Sequence, residues 1–120
     1  MSRASLGSAA RAREAAFAQH TAPVFAALGD ATRLRIVARL SSGGPASIAG
    51  LTSGSGVTRQ AVTKHLAVLT DASLVRHARD GRERIFELRP EKLDAARRSL
   101  DRIAEQWDAA LSRLKAFVEE

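Results

Sequence analysis

The feature that most constrains this chain is an apolar heptad pattern near its C-terminus. Apolar side chains recur at two positions of a seven-residue repeat: Leu93, Ala96, Leu100, Ile103, Trp107, Ala110, Leu114 and Phe117. This spacing predicts a helix over about residues 91–118 with one continuous apolar face. At 1.5 Å per residue the helix would be about 40 Å long, which is long for the core of so small a chain. We expect the face to pack at least partly against a second copy of the chain. Packing on the chain's own first helix is the alternative.

Charge and cysteine content narrow the classes of function. The 120 residues carry a net charge of +6 and have a sequence pI of about 11.2, which favours an anionic partner such as nucleic acid. There is no cysteine, so disulfides and thiolate metal sites are excluded. No apolar run approaches the roughly 20 residues that span a bilayer. We therefore expect a cytoplasmic protein that is not bound to a membrane.

The N-terminal part differs in composition from the rest. Residues 1–20 are predicted to form an N-terminal tail. Its first ten residues are expected to be disordered, and the next ten are Ala-rich and could form a helix. A transit peptide is the alternative, because the segment is rich in Arg, Ser and Ala and poor in acids. Thr21 and Pro23 are typical of the start of a short helix. One domain is expected over residues 21–120.

The middle of the chain predicts a helix-turn-helix. Asp30 can cap a helix over residues 31–42, and a short helix over residues 47–53 precedes a Gly-Ser turn. Thr58 can cap a further helix that runs to about Asp71. Its apolar positions follow at i, i+4 and i+7: Val62, Leu66 and Leu69.

If those positions are buried, a polar face is left outward, and its chemistry suits DNA. Arg and Lys pair with guanine, Gln pairs with adenine, and Thr contacts either a base or a thymine methyl group. The N-terminal half of such a helix reaches base edges, so the residues predicted to contact bases are Thr58, Arg59, Gln60 and Thr63. Lys64 and His65 are predicted to contact phosphates.

A hairpin is predicted over Leu74 to Pro90. Asp80-Gly81 is typical of a type I′ turn, which would place Val75 opposite Phe86 and Arg79 opposite Arg82. Like charges opposite each other destabilise a strand pair. Arg79 and Arg82 are therefore predicted to hold an anion, most simply DNA phosphate. A solvated hairpin, with Arg84 paired to a neighbouring glutamate, is the alternative.

Three segments together resemble the ArsR family of winged-helix bacterial repressors. They are ALGDATRLRIVARL, VTRQAVTKHLAVLTDASLV and RDGRERIFEL, within about residues 23–88. The resemblance implies that Thr58, Thr63, Lys64 and His65 belong to the recognition motif and that Arg79, Gly81 and Arg82 belong to the wing. The chain departs from the family pattern at Ala31, where Pro is usual, and at Ser73, where Gly is usual.

The resemblance implies a homodimer that binds a double-stranded, inverted-repeat operator and blocks transcription. It predicts a mostly α fold with a small β-hairpin, a winged helix-turn-helix followed by a long C-terminal dimerisation helix. The residues predicted to form the dimer are Leu93, Leu100, Ile103, Trp107 and Leu114. Many members release DNA when a metal binds to cysteines, or to His and carboxylates on the last helix. This chain has no Cys and no His on that helix, so we expect neither a metal site nor another cofactor. The operator sequence and any inducer or protein co-regulator stay undefined.

Two other classes of function compete with DNA binding. A winged-helix protein-interaction module with a basic face would show an exposed apolar patch where base-reading residues stand here. An enzyme would need a catalytic set, and His65 as a general base has no visible nucleophile beside it. The sequence therefore predicts a DNA-binding regulator that is not an enzyme.

Overall fold

The computed structural model describes residues 3–119, and within them the chain forms five helices and one small sheet. The elements are α1 Arg3–Leu28, α2 Ala31–Gly43, β1 Ala46–Ser47, α3 Ile48–Thr52, α4 Arg59–Asp71, β2 Val75–Asp80, β3 Glu83–Leu88 and α5 Pro90–Glu119. The predicted mostly α winged helix-turn-helix with a long C-terminal helix is confirmed.

The first helix is longer than the sequence suggested. The predictions of a disordered segment over residues 1–10 and of a new helix beginning near Thr21 are wrong for the described part, because α1 runs unbroken from Arg3 through Pro23. Residues 1 and 2 lie outside the described residues. Proline removes one backbone donor, but Pro23 is exposed, so water can reach the carbonyl that loses its partner. The boundary predicted at residue 20 falls inside this helix.

The predicted helix caps are confirmed at the two helices that frame the turn. The Asp30 carboxylate accepts the backbone N–H of Arg33 at 3.0 Å, and the Thr58 hydroxyl oxygen accepts that of Ala61 at 3.0 Å. Each side chain satisfies a donor that has no partner within its helix. The start of α2 and of α4 is therefore fixed by local chemistry.

The C-terminus of α4 has a residue in the left-handed backbone region. Ser73 has φ of 61°. Its N–H donates to the Thr70 carbonyl and the next N–H, of Leu74, donates to the Leu69 carbonyl, both at 2.9 Å. These are the two bonds of a Schellman motif, whose left-handed position favours glycine. Ser73 thus makes the bend that glycine makes in similar sequences, at a conformational cost.

The sheet has the order β1-β3-β2 and is antiparallel throughout. The predicted hairpin exists, but its predicted register is wrong: Val75 pairs with Leu88, and Arg79 pairs with Arg84. The turn residues are Gly81 and Arg82, and Gly81 has φ of +65° while Arg82 does not have positive φ. This is the φ pattern of a type II′ turn, which requires glycine at the first central position alone. The strand β1, two residues long, is too short to show alternation in sequence.

One core unites these elements. Its most completely buried side chains come from α4 and from the segment after it: Val62, Leu66, Leu69, Leu74 and Val75. Helices α1, α2 and α3, the strand β3 and the beginning of α5 contribute the remaining members: Val24, Ala27, Ile36, Leu40, Leu51, Phe86 and Ala96. The core therefore covers one side of α4 and leaves the opposite side exposed to solvent.

Candidate nucleic-acid interface

The outward side of α4 carries the polar residues that the sequence assigned to it. All five of the following side chains are exposed and line one open surface groove: Thr58, Arg59, Gln60, Thr63 and Lys64. The predicted buried stripe is confirmed, since Val62, Leu66 and Leu69 are at most 1% exposed. The helix is thus divided into an apolar side that is fully covered and a polar side that is fully available.

Two hydroxyl groups on this surface each make one hydrogen bond to the backbone of the helix. The Thr58 oxygen accepts the Ala61 N–H as a cap, which leaves the Thr58 hydroxyl hydrogen free to donate to a base or phosphate. The Thr63 hydroxyl donates to the Arg59 carbonyl at 2.9 Å and can still accept a hydrogen bond. Arg59, Gln60 and Lys64 have side-chain donors that point to no partner among the hydrogen bonds of the described residues.

The turn before α4 sets where this surface begins. Gly54 and Gly56 have φ of 69° and 78°, a conformation that side-chain-bearing residues rarely adopt. The Arg35 guanidinium donates to the Ser55 carbonyl between them at 2.9 Å, which ties the turn to α2. The turn is therefore held from both sides, and Thr58 follows it in a fixed position.

The hairpin, or wing, forms a basic cleft with the N-terminus of α4. Its volume is about 210 Å³, and four arginines line it against one acid: Arg59, Arg79, Arg82, Arg84 and Glu83. Ser47, Ile48 and Ala49 complete its wall. So many guanidinium groups beside one carboxylate make the cleft a site of positive potential, which suits a phosphate oxygen.

Two cross-strand pairs in the wing differ in charge. Arg76 lies opposite Glu87 and forms a salt bridge with it at 2.6 Å, whereas Arg79 lies opposite Arg84. Glu87 is thus engaged by Arg76, and no salt bridge in the described residues includes Arg84. Arg84 was absent from the predicted site, because the predicted register placed Arg82 opposite Arg79. A two-residue turn with glycine at its first position would have placed Arg84 opposite Arg79. This turn type is therefore the sequence signal that could have identified Arg84.

His65 lies apart from the outward groove. Its side chain is 23% exposed, and its Nδ1 atom is 3.3 Å from an Arg33 guanidinium nitrogen and 3.8 Å from an Asp30 carboxylate oxygen. These partners belong to the beginning of α2. The structure therefore brings together seven of the eight residues predicted to contact DNA and directs the imidazole of the eighth toward the protein.

The charge of Asp30 is favoured by its surroundings. The hydrogen bond from the backbone N–H of Arg33 lowers the pKa of this carboxyl below its usual 3.8, and it outweighs the opposing effect of desolvation. Asp30 therefore stays ionised at neutral pH and keeps its role as the cap of α2.

The C-terminal heptad face is covered at its beginning and bare beyond it. Ala96 is 5% exposed and Leu93 packs against the core. The later positions named as dimer residues are exposed: Leu100, Ile103, Trp107 and Leu114. The alternative, packing on the protein's own first helix, is incomplete at Ile103: a groove of about 300 Å³ lies between α1 and α5 and is lined by Phe17 and Ile103.

Residues 3–119 show neither a metal-binding cluster nor a membrane-spanning helix. No three His or carboxylate side chains in this part lie close enough together to hold a metal ion. None of the helices formed by these residues combines the length and the apolar character that crossing a bilayer requires.

Comparisons with known proteins agree on the class that this geometry defines. Residues 28–78 match the model of a helix-turn-helix domain. The HTH-type transcriptional regulator Rv2034 of Mycobacterium tuberculosis is 42% identical over 86 residues, which cover 72% of this chain and 77% of the relative.

Solved structures of similar proteins indicate the family to which this chain belongs. An ArsR-like transcriptional regulator from Rhodococcus sp. RHA1 is 35% identical, with a TM-score of 0.69 over 82% of this chain and 92% of that one. The homodimeric winged helix-turn-helix DNA-binding domain of Mb0332 from Mycobacterium bovis is 25% identical, with a TM-score of 0.62 over 78% and 85%.

These findings define a DNA-binding transcriptional regulator of the winged helix-turn-helix class. The chain belongs to the ArsR family.

Proposed function

We propose that this protein is a homodimeric repressor in the cytoplasm that reads an inverted-repeat operator with one α4 helix from each protomer. The observation that carries the proposal is the exposed polar side of α4 beside a cleft lined by four arginines and one glutamate. Base-reading side chains occupy this surface. Most of the large exposed apolar side chains lie elsewhere, chiefly on α5, so the surface favours DNA over a protein partner.

Two kinds of DNA contact are assigned to this surface. Thr58, Arg59, Gln60 and Thr63 read base edges from the N-terminal half of α4, in the manner of recognition helices. Lys64 and the wing residues Arg79 and Arg82 hold phosphates, and the observed register adds Arg84. The phosphate contacts position the protein, and the base contacts make it specific.

The dimer is supported by the shape of the chain. Its radius of gyration is 19.7 Å, whereas a compact domain of this length has about 14 Å. The excess reflects the two long helices α1 and α5. Helix α5 leaves its apolar face uncovered, and Trp107 on that face is 65% exposed. A second copy that offers the same face would cover both by two-fold symmetry. The solved structure of Mb0332 is described as homodimeric, which agrees with this arrangement.

Regulation by a metal ion is not part of the proposal. The chain lacks cysteine, and its last helix lacks histidine, so neither of the metal-ligand sets that the family resemblance implies is available. We expect zinc, cadmium or arsenite at micromolar levels to leave the protein on its DNA in an anisotropy titration.

The base-reading role is tested with one substitution and its control. A preferred duplex is first selected from a randomised library. Arg59→Ala should weaken binding to that duplex by ~1–3 kcal/mol and relax the sequence preference. Arg11→Ala removes an equal charge from α1 and should leave the preference intact. Equal binding of the preferred duplex by Arg59→Ala and the parent at matched salt would refute the assignment.

The wing is tested by the salt dependence of binding. Replacing Arg79 and Arg82 together with Ala should weaken all duplexes alike and reduce the slope of log affinity against log salt by roughly two, about one for each lost phosphate contact. Adding Arg84→Ala should reduce it by about one more. Unchanged slope and affinity would mean that the wing points away from DNA.

A further inference from the structure

Arg33 joins three helices at the start of α2. Its Nε atom donates to the Ala27 carbonyl, and another guanidinium nitrogen lies 3.4 Å from the Ala26 carbonyl. The remaining nitrogen lies 3.3 Å from His65 Nδ1. One planar group thus caps the C-terminus of α1 and reaches the middle of α4. The residue is well suited to this, since a guanidinium presents five donors in a rigid fork.

Asp30 completes the cluster from the same turn. Its carboxylate caps α2 through the Arg33 backbone N–H at 3.0 Å and lies 3.8 Å from His65 Nδ1. The latter distance is too long for a hydrogen bond. The contact that links His65 to α2 is therefore the one with Arg33.

The hydrogen bond assigns the acceptor role to one nitrogen of the imidazole. Arginine has donors and no acceptor, so the Nδ1 atom that faces it must accept. The hydrogen of the neutral ring then lies on Nε2. Nδ1 of His65 is thus an acceptor in this contact, whereas a phosphate would require a donor.

We propose that Arg33, through His65, is a positioning residue that sets the orientation of the recognition helix α4 relative to α1. The inference rests on the proposed function, in which α4 reads bases. In that function α1 lies beside the dimer face of α5, so the angle between α1 and α4 sets how the two recognition helices of a dimer are spaced. The affinity of a dimer for an operator with two half-sites depends on this angle. The attraction of a single protomer for phosphates does not.

The cluster predicts a particular pattern of binding defects. Arg33→Lys keeps the charge but lacks the fork, and His65→Phe keeps the ring but lacks the acceptor. Each should weaken the selected duplex by about tenfold, a loss typical of coupling through one contact. Binding to a random duplex should change by less than about twofold, with the salt slope unchanged. The double variant should be no weaker than the more affected single variant, because both remove one interaction.

The experiment measures fluorescence anisotropy with the selected and the random duplex over a range of salt. Arg39→Lys, an exposed arginine on the same helix, is the matched control and should behave like the parent. Sedimentation and thermal unfolding establish that each variant keeps the mass and fold of the parent. For the parent itself, ¹⁵N NMR of the imidazole should show the Nε2–H tautomer of His65, and this readout needs no variant to fold.

Three results would overturn the inference. A salt slope reduced by about one in His65→Phe, with equal loss on both duplexes, would make His65 a phosphate ligand. An Nδ1–H tautomer in the parent would remove the acceptor. Selected-duplex affinity unchanged by Arg33→Lys, while Arg59→Ala reduces it, would leave base reading by α4 intact and refute the positioning role alone. If Arg59→Ala also has no effect, the proposed function fails instead.

Discussion

Helices α4 and α5 both carry a regular apolar stripe, but their surroundings differ. The stripe of α4 is at most 1% exposed along Val62, Leu66 and Leu69. The stripe of α5 is buried at Ala96, but its large side chains are more than half exposed from Leu100 onward, reaching 76% at Phe117. Amphipathic spacing therefore specifies that a face must be covered without specifying by what. In α4 the cover is the protein's own core, and on α5 we propose that it is a second protomer.

The largest expected effect lies in the core of α4. Leu66→Ala should destabilise the fold by ~2–5 kcal/mol, because it removes buried contacts and leaves a cavity. The loss of unfolding free energy in urea should not depend on protein concentration. Leu100→Ala deletes the same atoms from a position that is 51% exposed in the protomer, so its effect should be smaller and should disappear on dilution to concentrations where the parent is itself a monomer. If both variants lose the same unfolding free energy at every protein concentration, the two stripes are not covered in different ways.

The second effect concerns the anchor of the α5 stripe. Trp107→Ala should weaken the dimer by about 2 kcal/mol or more, as expected for a buried aromatic anchor at an interface. Sedimentation should show the 12.8 kDa monomer at concentrations where the parent is a dimer. Asp108→Ala, on the adjacent and exposed position, should leave the mass unchanged. A parent that is monomeric at micromolar concentration would show that no second copy covers the stripe.

The smallest effect lies where the covered stripe of α4 ends. Ser73→Gly should stabilise the fold by ~0.5–1 kcal/mol, because glycine adopts the left-handed conformation without the steric penalty of serine. The gain should appear in thermal unfolding at any protein concentration. Ser53→Gly is the control, since Ser53 follows α3 with φ of −57° and gains nothing from glycine. A Ser73→Gly variant that is less stable than the parent would mean that the serine side chain contributes more than its backbone strain costs.

Local features of this molecule could be read from the sequence. Asp30 and Thr58 cap their helices through backbone groups three residues away, so no distant residue can change the outcome. The stripe and the polar side of α4 follow from the same periodicity. The three segments that resemble the ArsR family led to the fold and to DNA binding, which the comparisons support.

What depended on distant contacts could not be read in this way. The hairpin was predicted, but its register depends on the turn type and on Phe86 entering the core, and the prediction was wrong by one residue on each strand. Proline at position 23 is typical of a helix start, yet Val24 and Ala27 are buried on a continuous α1, and this packing outweighs the local preference. The segment β1 exists through its pairing with β3 alone.

By itself, the sequence determined which faces of its helices are apolar, where α2 and α4 begin, and which polar residues α4 presents, because these depend on neighbours within about one helical turn. Only the tertiary structure decided that Arg79 opposes Arg84 and that the stripe of α5 loses its cover after Ala96. It also directed His65 toward Arg33, 32 residues away in the chain. The geometry of these contacts is set by how the elements pack on the shared core rather than by any one segment alone.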